Sequence, residues 1–415
     1  MAEQQAIAGK SMAIIGAGVI GSAIAFALAR DGWRVTSFDR APPGEGGASF
    51  GNAGHAATEL LEPLPAPSLL FGFWRELFAL GGVLDIPAQR LARFAPWALR
   101  FARAAFQRRA NTALLAPFVR PAVPALIDLL AQAGRPDLIR QQGHYQVWLK
   151  PGGSQKVAAQ ARAMEALEVP TEPAPAHILE SIGRAARTEN IAGLWFPKCA
   201  HVLDPLEVVR AFASAAAQRG ASYVAGEVRE VRAVAGGFDV VTATGSTRFD
   251  AAMICAGAWS GPLLKPFGLR VPMECARGYH VQMNGATPLA EAPVVYSDQN
   301  IVVTPMAGRL RATSFMEFDD RDAPADPRKP AWLCARLLEL GYPAEHSAPS
   351  WVGARPVLPD YLPAMGRVPD LPGLYYAFAH QHIGLTTSAV TARAMSDLVA
   401  GIPRPDLQGF DLRRF

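Results

Sequence analysis

An α/β protein, with a parallel-sheet domain interleaved with an α+β domain on a mixed or antiparallel sheet, follows from three observations. The N-terminus reads strand, glycine turn, helix, strand. The second half is a series of short, turn-bounded apolar runs. No repeat, low-complexity segment or long linker separates modules, so the domains must share the chain in alternating pieces. The 415 residues allow two or three domains, and half of them are hydrophobic, enough for a large core.

The first element is the apolar run Met12–Ile15, suited to a strand buried on both faces. Gly16-Ala17-Gly18-Val19-Ile20-Gly21 follows as G-x-G-x-x-G. Ser22 to Arg30 continues as an apolar helix, Asp31-Gly32 stops it, and Arg34 to Phe38 forms a second strand ending at Asp39. Gly16 permits the tight turn, Gly18 lets a diphosphate approach the backbone, and Gly21 lets helix and strand pack closely. The helix start offers free N–H groups to the diphosphate. Asp39, 18 residues after Gly21, can accept from a ribose diol. Strand, turn, helix and acid in this order predict a Rossmann-type dinucleotide site, without distinguishing NAD from FAD.

Charge and cysteine usage narrow the class. A formal net charge of +4 is too small for a nucleic-acid binder. Cys199, Cys255, Cys275 and Cys334 include no C-x-x-C pair and no zinc-type spacing to histidine. They read as reduced thiols, and no metal site is expected. The uncharged stretch Ser11–Ala29 has the length of a membrane span, but its three glycines divide it into strand, turn and helix. No transmembrane segment or export is expected, and the location is expected to be cytoplasmic.

After the second strand comes Arg40-Ala-Pro-Pro-Gly-Glu-Gly-Gly-Ala-Ser-Phe-Gly-Asn-Ala-Gly-His55. An NAD enzyme would turn back into its next helix here; a small, polar loop suits wrapping a longer cofactor. Asp204-Pro205-Leu206-Glu207 opens a helix with a capping-box pattern. Gly226 to Ala256 reads as a β-meander, ending in the buried run Ala251–Ala256 and Gly257. Gly353-Ala354-Arg355-Pro356 leads to Pro359-Asp360, Pro363 and Gly366. His380-Gln381-His382-Ile383-Gly384-Leu385-Thr386 starts a helix that runs to Leu398.

Together these segments resemble the D-amino-acid oxidase superfamily of FAD enzymes, most of all the bacterial D-amino-acid dehydrogenases, over nearly the whole chain. The resemblance implies that Ser49, Asn52, Ala53 and Gly54 lie along the pyrophosphate and flavin, with Arg40 beside them. It implies that Val228, Ala256 and Gly257 meet the adenine side, and that Gly353, His382, Ile383, Gly384, Leu385 and Thr386 meet the flavin. The family more often has Gly where Ala379 stands, and several members have a substrate tyrosine at the place of Ile301. The sequence neighbours of Arg355 include no cysteine, so non-covalent FAD is expected.

Amine oxidation needs a cation for the substrate carboxylate. Arg355, in the family's R-P before P-D, is the expected anchor; a structural alternative is pairing with Asp360 or a backbone carbonyl. Tyr279, in Arg277-Gly278-Tyr279, is expected to bind the carboxylate or line the pocket. His382 and His55 are expected to contact the substrate amine, and a histidine near neutrality can assist proton removal. His380 is expected to be structural. The implied reaction is oxidative deamination of a D-amino acid, a cyclic one such as D-proline or cis-4-hydroxy-D-proline included, with a quinone or oxygen as electron acceptor. Alternatives are a glycine/sarcosine-type amine oxidase, an NAD(P)-dependent dehydrogenase and a non-catalytic flavin-binding subunit.

Residues 60 to 190 are helical in pattern. Ile86 to Ile127 contains no acidic residue and carries seven arginines among aromatics, which suits contact with a membrane surface; an ordinary amphipathic helix fits the same pattern. The expected domains are 11–60, 195–275 and 350–415 around FAD, and 61–194 with 276–349 around the substrate.

Overall fold

The computed structural model describes residues 9–344 and 348–415. Strands Ser11–Ile15, Arg34–Asp39, Ser222–Ala225, Ala251–Ile254 and Leu374–Phe378 form a parallel sheet in the spatial order 222, 34, 11, 251, 374. Ala364–Arg367 closes one edge antiparallel. The first strand shows why the run is apolar throughout. Met12 and Ile14 face one core with helices Val19–Arg30, Pro205–Ala217 and Gly384–Val399, whereas Ala13 and Ile15 face another with Val231, Phe238 and Phe249. Successive side chains of a strand point to opposite faces, and both faces here are covered.

The expected meander is present but shorter. Glu230–Val234, Gly237–Thr242 and Gly245–Phe249 pair antiparallel over one face of the parallel sheet, and Ala251–Ile254 returns to that sheet. Val228 lies in the connection after Ser222–Ala225 rather than on a strand, because the chain leaves the parallel sheet at Gly226. At the helix that begins with Pro205, Asp204 caps through Leu206 N–H at 2.9 Å. Glu207 bonds Arg210 at 2.9 Å, an (i, i+3) pair available on its own helix, and no return bond to the cap is present among the described residues.

A nine-stranded mixed sheet is built around Glu274–Asn284, which pairs antiparallel with Arg309–Phe318 on one side and Ala348–Val357 on the other. The strand 348–357 bonds within this sheet, so the expected boundary at residue 350 cuts it, and Arg355 reaches the site from the large sheet. A small sheet joins His55–Ala56, Ala200–Val202 and Ile139–Arg140.

The stretch Arg108–Gln132 is long and apolar enough to cross a membrane by length and composition, but half of its most apolar window is buried. Leu115, Val119, Val123, Leu126 and Leu130 pack into the core that also holds the helix of the glycine motif.

Candidate active site

A cleft of about 430 Å³ runs from the start of helix Val19–Arg30 to the start of helix Gly384–Val399. Its geometry requires the glycines. Gly16 has φ +109°, and a Cβ there would lie 2.4 Å from the Cys255 carbonyl oxygen. A Cβ on Gly21 would lie 1.9 Å from the Gly16 carbonyl oxygen. Gly18, Val19 and Ile20 line the cleft at the helix start, where the first N–H groups have no partner in their own helix. Asp39 Oδ2 accepts from Ala17 N–H at 2.7 Å, and Ser49 Oγ accepts from Val19 N–H at 3.0 Å. Val228, Ala256 and Gly257 line the same end.

Positive charge collects there. The Arg40 guanidinium stacks 3.9 Å from the centre of the Trp259 ring, and Arg321 approaches that ring at 5.4 Å. All three line the cleft, as do Asp39, Ser49 and Asn52. Trp259 and Arg321 were not singled out from the sequence, because their partnership with Arg40 joins segments far apart in the chain.

The loop from Ser49 to Ala57 is fixed from behind. Arg311 donates to the carbonyls of Phe50 at 3.2 Å and Asn52 at 2.7 Å. Asn52 Oδ1 accepts from Gly54 N–H at 2.8 Å, and Thr386 Oγ1 accepts from Ala57 N–H at 3.1 Å. Ala17, Gly21, Ala53, Gly54, Gly353, Arg355, His382, Ile383 and Thr386 do not line the cleft. Of these, Ala17 and Thr386 hold its wall through the hydrogen bonds above. Arg311 is buried, and burial with Arg309 nearby draws its guanidinium down to about 10. An alternating strand position was its only sequence signal.

At the other end Ala354 and Pro356 line the cleft, and Arg355 between them is half-buried. Its Nη1 donates to the Phe315 carbonyl at 3.2 Å. No carboxylate pairs with it among the described residues; Asp360, the sequence alternative, pairs with Arg414 at 2.6 Å. Burial pulls the Arg355 guanidinium below its usual range. A half-buried guanidinium without a carboxylate of its own is free to take one from a ligand.

His382 is exposed; partial loss of water, and after it the Arg355 charge, lower its imidazole from the ordinary value. A lowered imidazole is a poorer base, and hydrogen bonding is the other part open to it. Tyr361, which the sequence reading missed, is buried with its ring centre 6.2 Å from that of His382 and has φ +57°. Gln381, also missed, lines the cleft with Nε2 unpartnered. His380 Nε2 meets Thr391 Oγ1 at 3.0 Å, the structural part expected of it, although His380 also lines the cleft.

Tyr279 needs correction. Ala276 is the cross-strand partner of Arg355, so strand alternation sets Ala276 and Gly278 on the Arg355 side and Arg277 and Tyr279 on the other. There Tyr279 donates to Glu317 Oε2 at 2.8 Å and accepts from Asp326 N–H at 3.0 Å. Glu317 also holds Arg277 at 3.1 Å and the wholly buried Lys329. Tyr279 belongs to this buried ionic network and does not line the cleft. Ile301 is fully buried in the core of the large sheet. His55 does not line the cleft either; it pairs across the small sheet with His201 and packs edge-on to His144.

The residues at hand fit a dinucleotide ending in a flavin. One helix start and the stacked arginines suit a diphosphate, Asp39 suits a ribose, and the second helix start suits the electron-rich end of an isoalloxazine. The chain matches the family described as FAD dependent oxidoreductase over residues 11–398. It is 29% identical to a D-amino-acid oxidase of Bradyrhizobium diazoefficiens, covering 98% of this chain and 99% of that one. It is also 29% identical to a D-amino acid dehydrogenase of Cereibacter sphaeroides, covering 96% and 93%. Among solved structures it is similar to glycine oxidase from Geobacillus kaustophilus, with a TM-score of 0.74 and 24% identity over 98% of this chain and 99% of that one. L-proline dehydrogenase from P. horikoshii gives 0.72 and 17%, with 98% of both chains covered. These structures share the fold, and the chain belongs to the FAD dependent oxidoreductase family.

Proposed function

We propose that this enzyme oxidises a small D-amino acid at its Cα–N bond. The observation that carries the reading is Arg355, a half-buried guanidinium without a carboxylate of its own among the described residues. A substrate carboxylate would supply the missing anion through paired charge-assisted hydrogen bonds. Bound FAD supplies the acceptor for the hydride leaving Cα. The chain's own part is to orient: Arg355 holds the carboxylate, and His382, with Tyr361 beside it, offers a hydrogen bond to the amine. Two relatives named for D-amino acids support the stereochemical class. FAD is held without a covalent bond in this reading, so acid precipitation should release all of the yellow colour.

The finer division of labour is also proposed. Residues around the parallel sheet bind FAD, and those of the large sheet bind substrate. Phe71, Trp74, Leu99 and Phe106 are exposed large apolar side chains in and beside the acid-free stretch, which suits attachment to a membrane surface and electron delivery to a quinone. Phe94 and Trp97 of the same stretch are buried, and Arg90 is paired with Glu274 and Asp320, so only part of its aromatic and basic character faces out.

The test is anaerobic. The yellow protein is mixed with a panel of D- and L-amino acids, cyclic D-amino acids, glycine and sarcosine, and flavin absorbance is followed. Bleaching by D-amino acids ahead of their L-enantiomers is expected. Bleaching by L-enantiomers alone, or by none of the panel, overturns the proposal.

A further inference from the structure

One cluster outside the cleft lining combines chemistry that the flavin site does not use. His55 comes from the small sheet, Glu59 follows it, His144 precedes strand Tyr145–Trp148, and Cys199 precedes strand Ala200–Val202. One donor atom from each of the four lies within 4.8 Å of the other three. Cys199 Sγ is 3.0 Å from Glu59 Oε2, and His144 Nε2 is 3.7 Å from Glu59 Oε1. The rings of His55 and His144 have centres 4.4 Å apart. His144 and Cys199 are each 1% exposed. Two ring nitrogens, His55 Nε2 and His144 Nδ1, are buried with no hydrogen-bond partner. An unsatisfied buried polar atom costs about 1–3 kcal/mol, so each of these nitrogens calls for a partner.

We propose that His55, Glu59, His144 and Cys199 form a structural site for a divalent transition metal, best matched by zinc. Two imidazoles, a thiolate and a carboxylate are the nitrogen, sulfur and oxygen donors that zinc accepts in four-fold coordination, whereas magnesium and calcium require oxygen sets. Zinc bond lengths of about 2.0–2.3 Å put neighbouring donors roughly 3.3–3.8 Å apart in a tetrahedron. The cluster therefore needs to contract by about an ångström at its widest. Binding forms four metal–ligand bonds, and the Cys199 proton leaves to solvent together with any proton on Glu59. No oxidant or reductant takes part. All four positions are filled by protein, so the ion is a clip rather than a Lewis acid. It ties the end of the 49–59 loop, which walls the cleft, to the segments carrying His144 and Cys199.

Sequence spacing gives no warning of the site. Its ligands come from three segments that meet only when the small sheet forms, which is why the cysteine pattern alone predicted no metal.

The test uses the intact yellow enzyme, purified without chelator from zinc-supplemented cells and analysed for metals by elemental mass spectrometry. About one zinc per chain is expected. Cys199→Ser and His144→Asn should each lose most of it, whereas Cys275→Ser, a thiol outside the cluster, should keep it. Folding of each variant is checked by circular dichroism. Because a ligand variant can misfold, wild-type protein is also exchanged with cobalt(II). A tetrahedral thiolate site then gives visible bands to the red of the flavin's absorption. Wild-type protein that holds no zinc after zinc reconstitution and gives no cobalt bands overturns the proposal. Zinc retained in full by folded Cys199→Ser and His144→Asn overturns it as well. Flavin bleaching by amino acids is read separately, so failure here is distinguishable from failure of the proposed reaction.

Discussion

Arg355 lies so close beneath Gly278 that a Cβ built on the glycine would meet Nη2 at 1.9 Å. The two residues sit on adjacent strands, where Gly278 pairs with Gly353 and Ala276 with Arg355. The missing side chain at Gly278 is thus what gives the guanidinium its seat. Gly278→Ala should push the guanidinium away with little harm to the backbone, since the atoms in the way are the far end of a flexible side chain. We expect KM for the amino acid to rise tenfold or more, kcat to change less, and FAD to stay bound. Arg355→Ala should raise KM further, by about a hundredfold, the scale of a lost charge-assisted pair. Steady-state kinetics with flavin absorbance as the loading control decide this. Unchanged KM in both variants removes the anchor.

That pairing marks the boundary of what the amino-acid order discloses. The strand, turn, helix and acid from Met12 to Asp39 are legible because each step is local: a buried strand, three glycines and a capped turn have signatures within a few residues. Arg355 was legible only through resemblance of its motif. The partners that make it useful were not, because Gly278 and Phe315 lie on other strands of the large sheet and reach it only when those strands pair. Tyr279 was placed on the wrong side for the same reason. A one-residue change of phase turns a strand's side chain to the other face, and nothing local to Arg277-Gly278-Tyr279 reveals which face meets the cleft.

Ala379 provides a test of backbone strain. It sits in the left-handed region at φ +58°, with Gln381 at +46° two residues on, where the chain turns toward the helix beginning at Gly384. An alanine there costs roughly 1–2 kcal/mol, and the greater freedom of glycine in the unfolded chain returns about 0.4–1. Ala379→Gly should therefore stabilise the protein by up to about 1 kcal/mol in urea unfolding of the FAD-loaded form. Ala379→Val should destabilise it and weaken FAD retention, because Ala379 also lines the cleft. A glycine variant less stable than wild type would show that the turn is not strained at this residue.

His280 and His380, two of the three buried histidines outside the proposed metal cluster, set an acid limit. Burial holds His280, beside Arg311, and His380 at about 3, against 6.5 for the free side chain. Between those values the unfolded chain binds protons that the folded chain refuses, so stability rises with pH there. Their contribution is complete above about pH 6.5 and is lost as pH falls toward 3. At pH 5 each costs at most about 2 kcal/mol relative to pH 7. Urea midpoints should fall over this interval, and His380→Asn should make the fall shallower. Equal slopes for the two proteins would remove His380 from this account.

His382 separates two ways of helping amine oxidation. Its imidazole is lowered from the ordinary value, which weakens it as a base, although the side chain is exposed to solvent. A hydrogen-bonding part predicts that His382→Gln, which keeps polar atoms but cannot act as a base, retains kcat/KM within about fivefold. His382→Ala should lose about tenfold or more, the scale of one hydrogen bond. The acid limb of the kcat/KM profile should keep its midpoint in the glutamine variant, because the group that titrates there is not His382. If His382→Gln is as damaged as His382→Ala, and the limb disappears with it, the imidazole moves the proton and the low basicity assigned to it is wrong.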